Sequence, residues 1–173
     1  MEKKKEVLII IPAYNEEKTI TALLEQLEKP EISELADVLV MNDASLDSTN
    51  WITKRRNHAV VTHVFNLGYG SGLQLGYKYA VRKKYQYVIQ MDADGQHDVC
   101  NIPAIYKALT TPDKDGTVPD IVLGSRFMEG STEFPVSVAK KIAFVWFRFL
   151  LRRGTGKDFT DPTTGLQGLN WKT

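Results

Sequence analysis

Apolar and polar positions follow two rhythms along this chain. Largely apolar runs of strand length occupy residues 7–11, 38–41, 60–65, 87–91 and 121–123. Between them lie stretches with helical spacing. The clearest is 17–28, where Ile20, Leu23, Leu24 and Leu27 share one face. Further helices are predicted up to about residue 56, with Asp47, Ser48 or Thr49 as N-cap, and over 72–83, 102–109 and 136–153. The polar connector 112–119, with Asp113, Lys114, Asp115 and Gly116, reads as a surface loop, and 154–164 as another. Strands alternating with helices predict βαβ units and a largely parallel sheet. The apolar residues Leu166 and Leu169 come just before the end of the chain, without an evident partner. The expectation is therefore a single domain over 1–173, truncated at its C-terminus.

Composition narrows the class. A length of 173 residues suits one domain with a real core, and a net charge of +1 gives no field for nucleic acid. Cys100 is the sole cysteine, which excludes an internal disulfide and a cysteine-rich zinc site. The amino terminus is basic, but the apolar run 7–11 is too short for a signal peptide. No stretch approaches the ~20 apolar residues needed to cross a bilayer. A soluble domain, or a soluble piece of something larger, is expected.

Chemistry is expected at the strand ends, because open α/β sheets bind ligands beyond the carboxyl ends of their strands. The run 87–91 stops in Asp92-Ala93-Asp94-Gly95-Gln96-His97. Two carboxylates at such an edge repel each other unless a cation joins them. A divalent ion holding a diphosphate is the natural candidate; the alternative is that Asp92 caps a helix while Asp94 is solvated in a turn. The first strand ends in Pro12-Ala13-Tyr14-Asn15-Glu16-Glu17. Tyr14 offers a ring for stacking on a base, while Asn15 or Glu16 meets a base edge or ribose, or Asn15 simply caps a helix. The second ends in Asn42-Asp43, where an acceptor can take the imide N–H of uracil or the N1–H and N2 amine of guanine. The third leads into Asn66-Leu67-Gly68-Tyr69-Gly70-Ser71-Gly72, a glycine cluster that is not the dinucleotide fingerprint. It reads as a turn of close backbone approach, with Asn66 near the nucleotide. His58 and His63 receive no role.

These pieces together resemble family-2 inverting glycosyltransferases, nearest the dolichol- and polyprenyl-phosphate sugar transferase branch. The matching segments are 10–17, 42–49, 66–68, 92–97 and Gly124-Ser125-Arg126-Phe127, in the family's order. The resemblance implies the nucleotide-diphospho-sugar transferase fold, a GT-A, Rossmann-like three-layer α/β sandwich. It implies a metal-dependent hexosyl transfer from a UDP- or GDP-linked sugar to an acceptor such as a polyprenyl phosphate. Pro12, Ala13, Tyr14, Glu16, Asp43, Asn66 and Asp92 then match the nucleotide-sugar site. Asp94 and Gln96 match contacts to Mg²⁺ or Mn²⁺. Arg126 matches a phosphate-holding base, with a surface ion pair as the plainer reading, and Asp161 a late carboxylate that orients the acceptor or acts as base. His97 reads as a loop histidine beside the metal. A nucleotide-sugar binding module without turnover is the alternative from another class. A sugar-phosphate nucleotidyltransferase fits less well, because Pro12-Ala13-Tyr14-Asn15 lacks the glycine and lysine of a triphosphate loop.

The helix 136–153 joins Lys140, Lys141, Arg148, Arg152 and Arg153 to Phe144, Trp146, Phe147, Phe149 and Leu150. It either lies on an anionic membrane surface near a lipid-linked acceptor or packs on protein. The corresponding location is cytoplasmic, with peripheral attachment at the inner membrane face as the first option.

Overall fold

The computed structural model describes residues 5–95, 97–125, 138–156, 158, 160, 161 and 163–171. The strands are β1 (Val7–Ala13), β2 (Ala36–Asn42), β3 (Ala59–Thr62), β4 (Tyr87–Gln90), β5 (Ile121–Leu123) and β6 (Gln167–Asn170). They form one sheet in the order β3-β2-β1-β4-β6-β5. β1 pairs in parallel with both β2 and β4, and β2 with β3. All seven β1 residues are buried, as expected for a central parallel strand covered on both faces.

The two faces of β1 sort its side chains by the period of two. Val7, Ile9 and Ile11 join the cluster that holds Ile20, Leu23, Leu24 and Leu27 of α1 (Ile20–Leu27) and Ile102, Ile105 and Leu109 of α5 (Ile102–Thr110). The short helix α2 (Pro30–Ser33) and α3 (Thr49–Arg55) add Ile32 and Ile52 to that side. Leu8 and Ile10 face the other way, with Leu39, Met41 and Val88, onto α4 (Tyr69–Arg82). Helices on both sides of a mainly parallel sheet make the expected three layers. A Cβ on Gly76 of α4 would stand 2.7 Å from Ile10 Cγ2, so the helix lies this close to β1 because no side chain intervenes.

Three details differ from the sequence reading. Pro12, expected to end the first strand, lies inside β1. Ile10 O accepts from Met91 N on the β4 side, and Pro12, two residues on, faces that same side. Pairing with β4 ends at Ile10, so the missing proline N–H costs no ladder bond. The apolar tail around Leu166 and Leu169 does have a partner: β6 runs antiparallel to β4, with Val88 opposite Leu169. Leu166 is buried and Leu169 packs beside Val88. The helix α4 also begins earlier than expected, so Gly70 lies in its first turn rather than in a loop.

The chain divides into two compact units, Met1–Val122 with Gly165–Thr173, and Leu123–Thr164. In the second unit α6 (Val138–Thr155) exposes Val145, Trp146, Phe147, Phe149 and Leu150. There Arg148 bonds Asp158 at 3.0 Å, and the Thr164 hydroxyl donates to Gly124 O at 2.6 Å.

Candidate functional site

β1 and β4 are neighbours in the sheet, yet the chain leaves β1 towards β2 and reaches β4 only after β3. That reversal of strand order is where an open sheet leaves a crevice. A cavity of about 390 Å³ opens there, lined by Pro12 and Ala13 at the end of β1, Tyr14 and Glu16 after it, Met41 in β2 and Asp43 just beyond it, Asn66, Gly68, Tyr69 and Gly72 before and in α4, and Asp92, Ala93 and Asp94 after β4. The structure thus brings together Pro12, Ala13, Tyr14, Glu16, Asp43, Asn66, Asp92 and Asp94. Gln96 and Arg126 lie outside the described residues. Asp161 belongs to the unit Leu123–Thr164, where it is buried and accepts the Thr163 hydroxyl at 3.3 Å. His97 is buried directly after the Asp92–Asp94 turn.

The first two loops are stitched to each other. Asn15 N donates to Ser45 Oγ at 3.0 Å, and Leu46 N returns a bond to Asn15 Oδ1 at 2.9 Å. Glu16 N donates to Thr49 Oγ1, Glu17 N to Asp47 Oδ2, and Ser48 N to Glu17 Oε2. Asn15 and Ala44 adopt positive φ, at 56° and 57°, which these bonds hold in place. Asp47 therefore ties two loops as well as bonding Thr49 N at the start of α3. Burial would raise its carboxyl; the Thr49 hydroxyl and the N–H groups of Thr49 and Glu17 outweigh that and hold it below the ordinary range.

Asp43 is nearly fully buried at the end of β2. Its Oδ1 accepts from Leu67 N at 2.9 Å and from His63 Nδ1 at 2.7 Å, and its Oδ2 from Gly68 N at 2.8 Å. Burial acts to raise its carboxyl, but Leu67 N–H, His63 and Gly68 N–H together keep it low, and it stands ionised at neutral pH. These bonds hold the loop between β3 and α4 against the cavity.

Asp92 is fixed from two directions. The Tyr69 hydroxyl donates to its Oδ1 at 2.7 Å while accepting from Gln90 Nε2 at 2.8 Å, and Tyr77 in turn donates to Gln90 Oε1 at 2.5 Å. Burial and the Asp92 charge both push the Tyr69 phenol well above its ordinary value, so it remains a donor. On the other side, a Cβ on Gly165 would stand 1.7 Å from Asp92 Oδ2. Only a glycine leaves room for the carboxylate there. Tyr69, Gln90, Tyr77, His63 and Gly165 were all missed from sequence, and only Gln90, a polar residue inside an apolar strand, left a signal.

Among the described residues the cavity is lined by four acids, Glu16, Asp43, Asp92 and Asp94, and by no lysine or arginine. Such a set attracts a cation. Its donors are hard carboxylate oxygens, which suit Mg²⁺ or Mn²⁺. No group of three His, Cys, Asp or Glu side chains forms a closed cage among the described residues. An ion held by one or two carboxylates plus substrate phosphates fits this arrangement.

A model of the family described as "Glycosyl transferase family 2" matches residues 8–165. The undecaprenyl-phosphate mannosyltransferase of Micrococcus luteus is 32% identical over 167 residues, covering 92% of this chain and 64% of that protein. The polyprenol monophosphomannose synthase of Mycolicibacterium smegmatis is 28% identical over 160 residues, covering 85% and 56%. The chain thus spans less than two-thirds of these relatives. A solved structure of glucosyl-3-phosphoglycerate synthase from Mycobacterium tuberculosis, with Mn²⁺, UDP-glucose and phosphoglyceric acid, superimposes with a TM-score of 0.62. It is 19% identical and covers 95% of this chain and 56% of that one, a likeness of fold.

Proposed function

The chain belongs to glycosyl transferase family 2, and from that membership we propose that it transfers a hexosyl group, with inversion, from a nucleoside-diphosphate sugar to a polyprenyl phosphate. The observation that carries this reading is the cavity at the β1–β4 reversal, where three strand ends deliver four carboxylates to one wall that, among the described residues, no lysine or arginine lines.

In this reading Tyr14 stacks on the base, Asp43 accepts a base N–H, and Asn66 stands beside the nucleotide. Glu16, with one oxygen held by the Thr19 hydroxyl at 2.7 Å, lies on the nucleotide side with Pro12 and Ala13. Asp94, with Gln96 and the neighbouring Asp92, would hold Mg²⁺ or Mn²⁺; the ion, when bound, neutralises charge on the leaving diphosphate. The Mn²⁺ in the fold neighbour supports this choice. Tyr69 and Gly165 keep Asp92 in one orientation, so little reorganisation is needed when charge develops. Arg126 offers a guanidinium fork to phosphate oxygens.

The acceptor needs no strong base if it is a phosphate monoester, whose second pKa near ~6 leaves it mostly dianionic at neutral pH. Asp161 then positions the acceptor rather than deprotonating it. The relatives named for polyprenyl-linked transfer support this acceptor. So do the exposed Trp146, Phe147 and Phe149 on α6, close in sequence to Arg148, Arg152 and Arg153, a composition suited to an anionic lipid surface. Among the described residues no helix is long and apolar enough to cross a membrane, and in this reading α6 meets the inner face peripherally.

The test is transfer of labelled sugar from UDP-glucose or GDP-mannose to a polyprenyl phosphate in detergent with Mn²⁺, followed by NMR of the anomeric centre. Label in the lipid phase with a β-linkage from the α-linked UDP-glucose or GDP-mannose is the expected result. Label that reaches water but never lipid would remove the acceptor, and a retained α-linkage would remove the inversion.

A further inference from the structure

We propose that the base end of this cavity selects a pyrimidine imide, uracil or thymine, over guanine, and that His63 is the residue that sets the choice; the inference rests on the donor-site reading above. A carboxylate offers about four lone-pair sites. Three of those on Asp43 are already used: Oδ1 by Leu67 N–H and by His63 Nδ1, and Oδ2 by Gly68 N–H. Asp43 Oδ1 is saturated, and a single acceptor site remains on Oδ2.

Guanine presents two parallel donors, N1–H and the N2 amine, which suit both oxygens of an open carboxylate. With Oδ1 filled, one of these donors goes without its partner. The imide of uracil or thymine presents one N–H between two carbonyls, which matches one remaining acceptor. Asn66 completes the pattern. Its Oδ1 accepts from Gly68 N at 3.2 Å, and its amide N–H₂ makes no hydrogen bond among the described residues, leaving a donor on the cavity wall for an imide carbonyl. Cytosine fails differently: its N3 brings a lone pair to the carboxylate, where a proton is required.

His63 stands outside the cavity wall and acts only through Asp43, so it is a positioning residue. Facing a carboxylate oxygen, its Nδ1 carries the proton, donates to Oδ1 and removes the second arm of a bidentate contact. Sites built around a fixed number of buried acceptors reject a ligand that leaves a polar group unpaired.

Calorimetric titration of the full chain with UDP, dTDP, GDP and CDP, each with MnCl₂, tests the count. UDP, alone or with dTDP, should bind about tenfold or more tighter than GDP and CDP, and the UDP–dTDP pair distinguishes the two imides. GDP or CDP binding as tightly as UDP overturns the inference while leaving the donor site standing. No binding by any of the four overturns the donor-site reading and this inference with it. In His63→Leu, checked for a cooperative melt, the UDP-to-GDP preference should shrink towards unity, and His63→Asn, which keeps a donor, should restore part of it. An unchanged preference in a folded His63→Leu protein removes His63 from base selection.

Discussion

Both ends of the parallel strands carry a tyrosine hydroxyl bonded to an aspartate, and the two pairs have different consequences. At the carboxyl ends Tyr69 donates to Asp92 at 2.7 Å; at the amino ends Tyr85 donates to Asp37 at the same distance. Each pair borders a cavity, of about 390 and 350 Å³ respectively. At the amino ends Lys5 lies 3.3 Å from Asp37 and also bonds the backbone oxygens of Ser33 and Ala36, and Glu28 is paired with Arg56 and His58. Every acid in that cavity wall has a basic partner. At the carboxyl ends, among the described residues, Asp92 meets neutral groups, the Tyr69 hydroxyl and the close Gly165 backbone. Charge balanced by a lysine or arginine at the amino ends serves the fold, and in the proposed reading the Asp92 charge, oriented by a neutral hydroxyl, is the one offered to a ligand.

The strongest way to break that contrast is Asp94→Ala. Mn²⁺-dependent binding of a nucleoside diphosphate should fall at least about 100-fold, as loss of a proposed metal ligand implies. Calorimetry showing undiminished affinity would mean that the cation is held elsewhere. Gly165→Ala comes next. Its methyl group would collide with Asp92 Oδ2, so the carboxylate must move, with a cost to stability of about 1–3 kcal/mol and weaker metal-dependent binding. Urea denaturation and the same titration give both quantities; a protein unchanged in both would contradict the tight seat.

A matched pair sharpens the comparison further. Tyr69→Phe should weaken metal-dependent binding about fivefold to tenfold with a small change in melting temperature. Tyr85→Phe should lower stability by about 1 kcal/mol and leave nucleotide binding alone. The opposite pattern would reverse the assignment of ligand and fold charges. The smallest effect concerns acid. Asp43 has a folded-state pKa below its ordinary 3.8. Its contribution is therefore complete above that ordinary value and is lost as pH falls through the lowered one. Asp43→Asn should flatten the fall in stability below about pH 4. Denaturation series at several pH values would expose an acid limb of unaltered slope, which would assign acid sensitivity to other carboxylates.

What was legible in the sequence follows from range. An apolar run that ends in a polar residue defines both a strand and the place where its next side chain emerges, so Asp43, Asp92 and Asp94 could be placed before any coordinates. Partners brought from elsewhere could not. His63 reaches Asp43 across 20 residues, Tyr69 reaches Asp92 across 23, and Gly165 O meets Gln90 across 75. Nothing local marks such pairs; His63 follows a short strand and resembles any surface histidine. β6 was missed for the same reason, because its apolar residues find their partners on β4, about 80 positions earlier. Pro12 misled because the side of the ladder it faces depends on where β4 stops.

The bond from Thr164 to Gly124 has one more implication. It closes the segment between them at its base, so that a detour of about 40 residues begins and ends at one point. The entropic cost of closing such a detour rises only with the logarithm of its length. The described residues lining the proposed donor cavity come from positions 12–94. Descendants of this chain can therefore change the length of the detour between the proposed Arg126 and Asp161 at small thermodynamic cost. A sheet threaded in this way leaves a stretch of chain open to evolutionary trial while its strand ends are inherited intact.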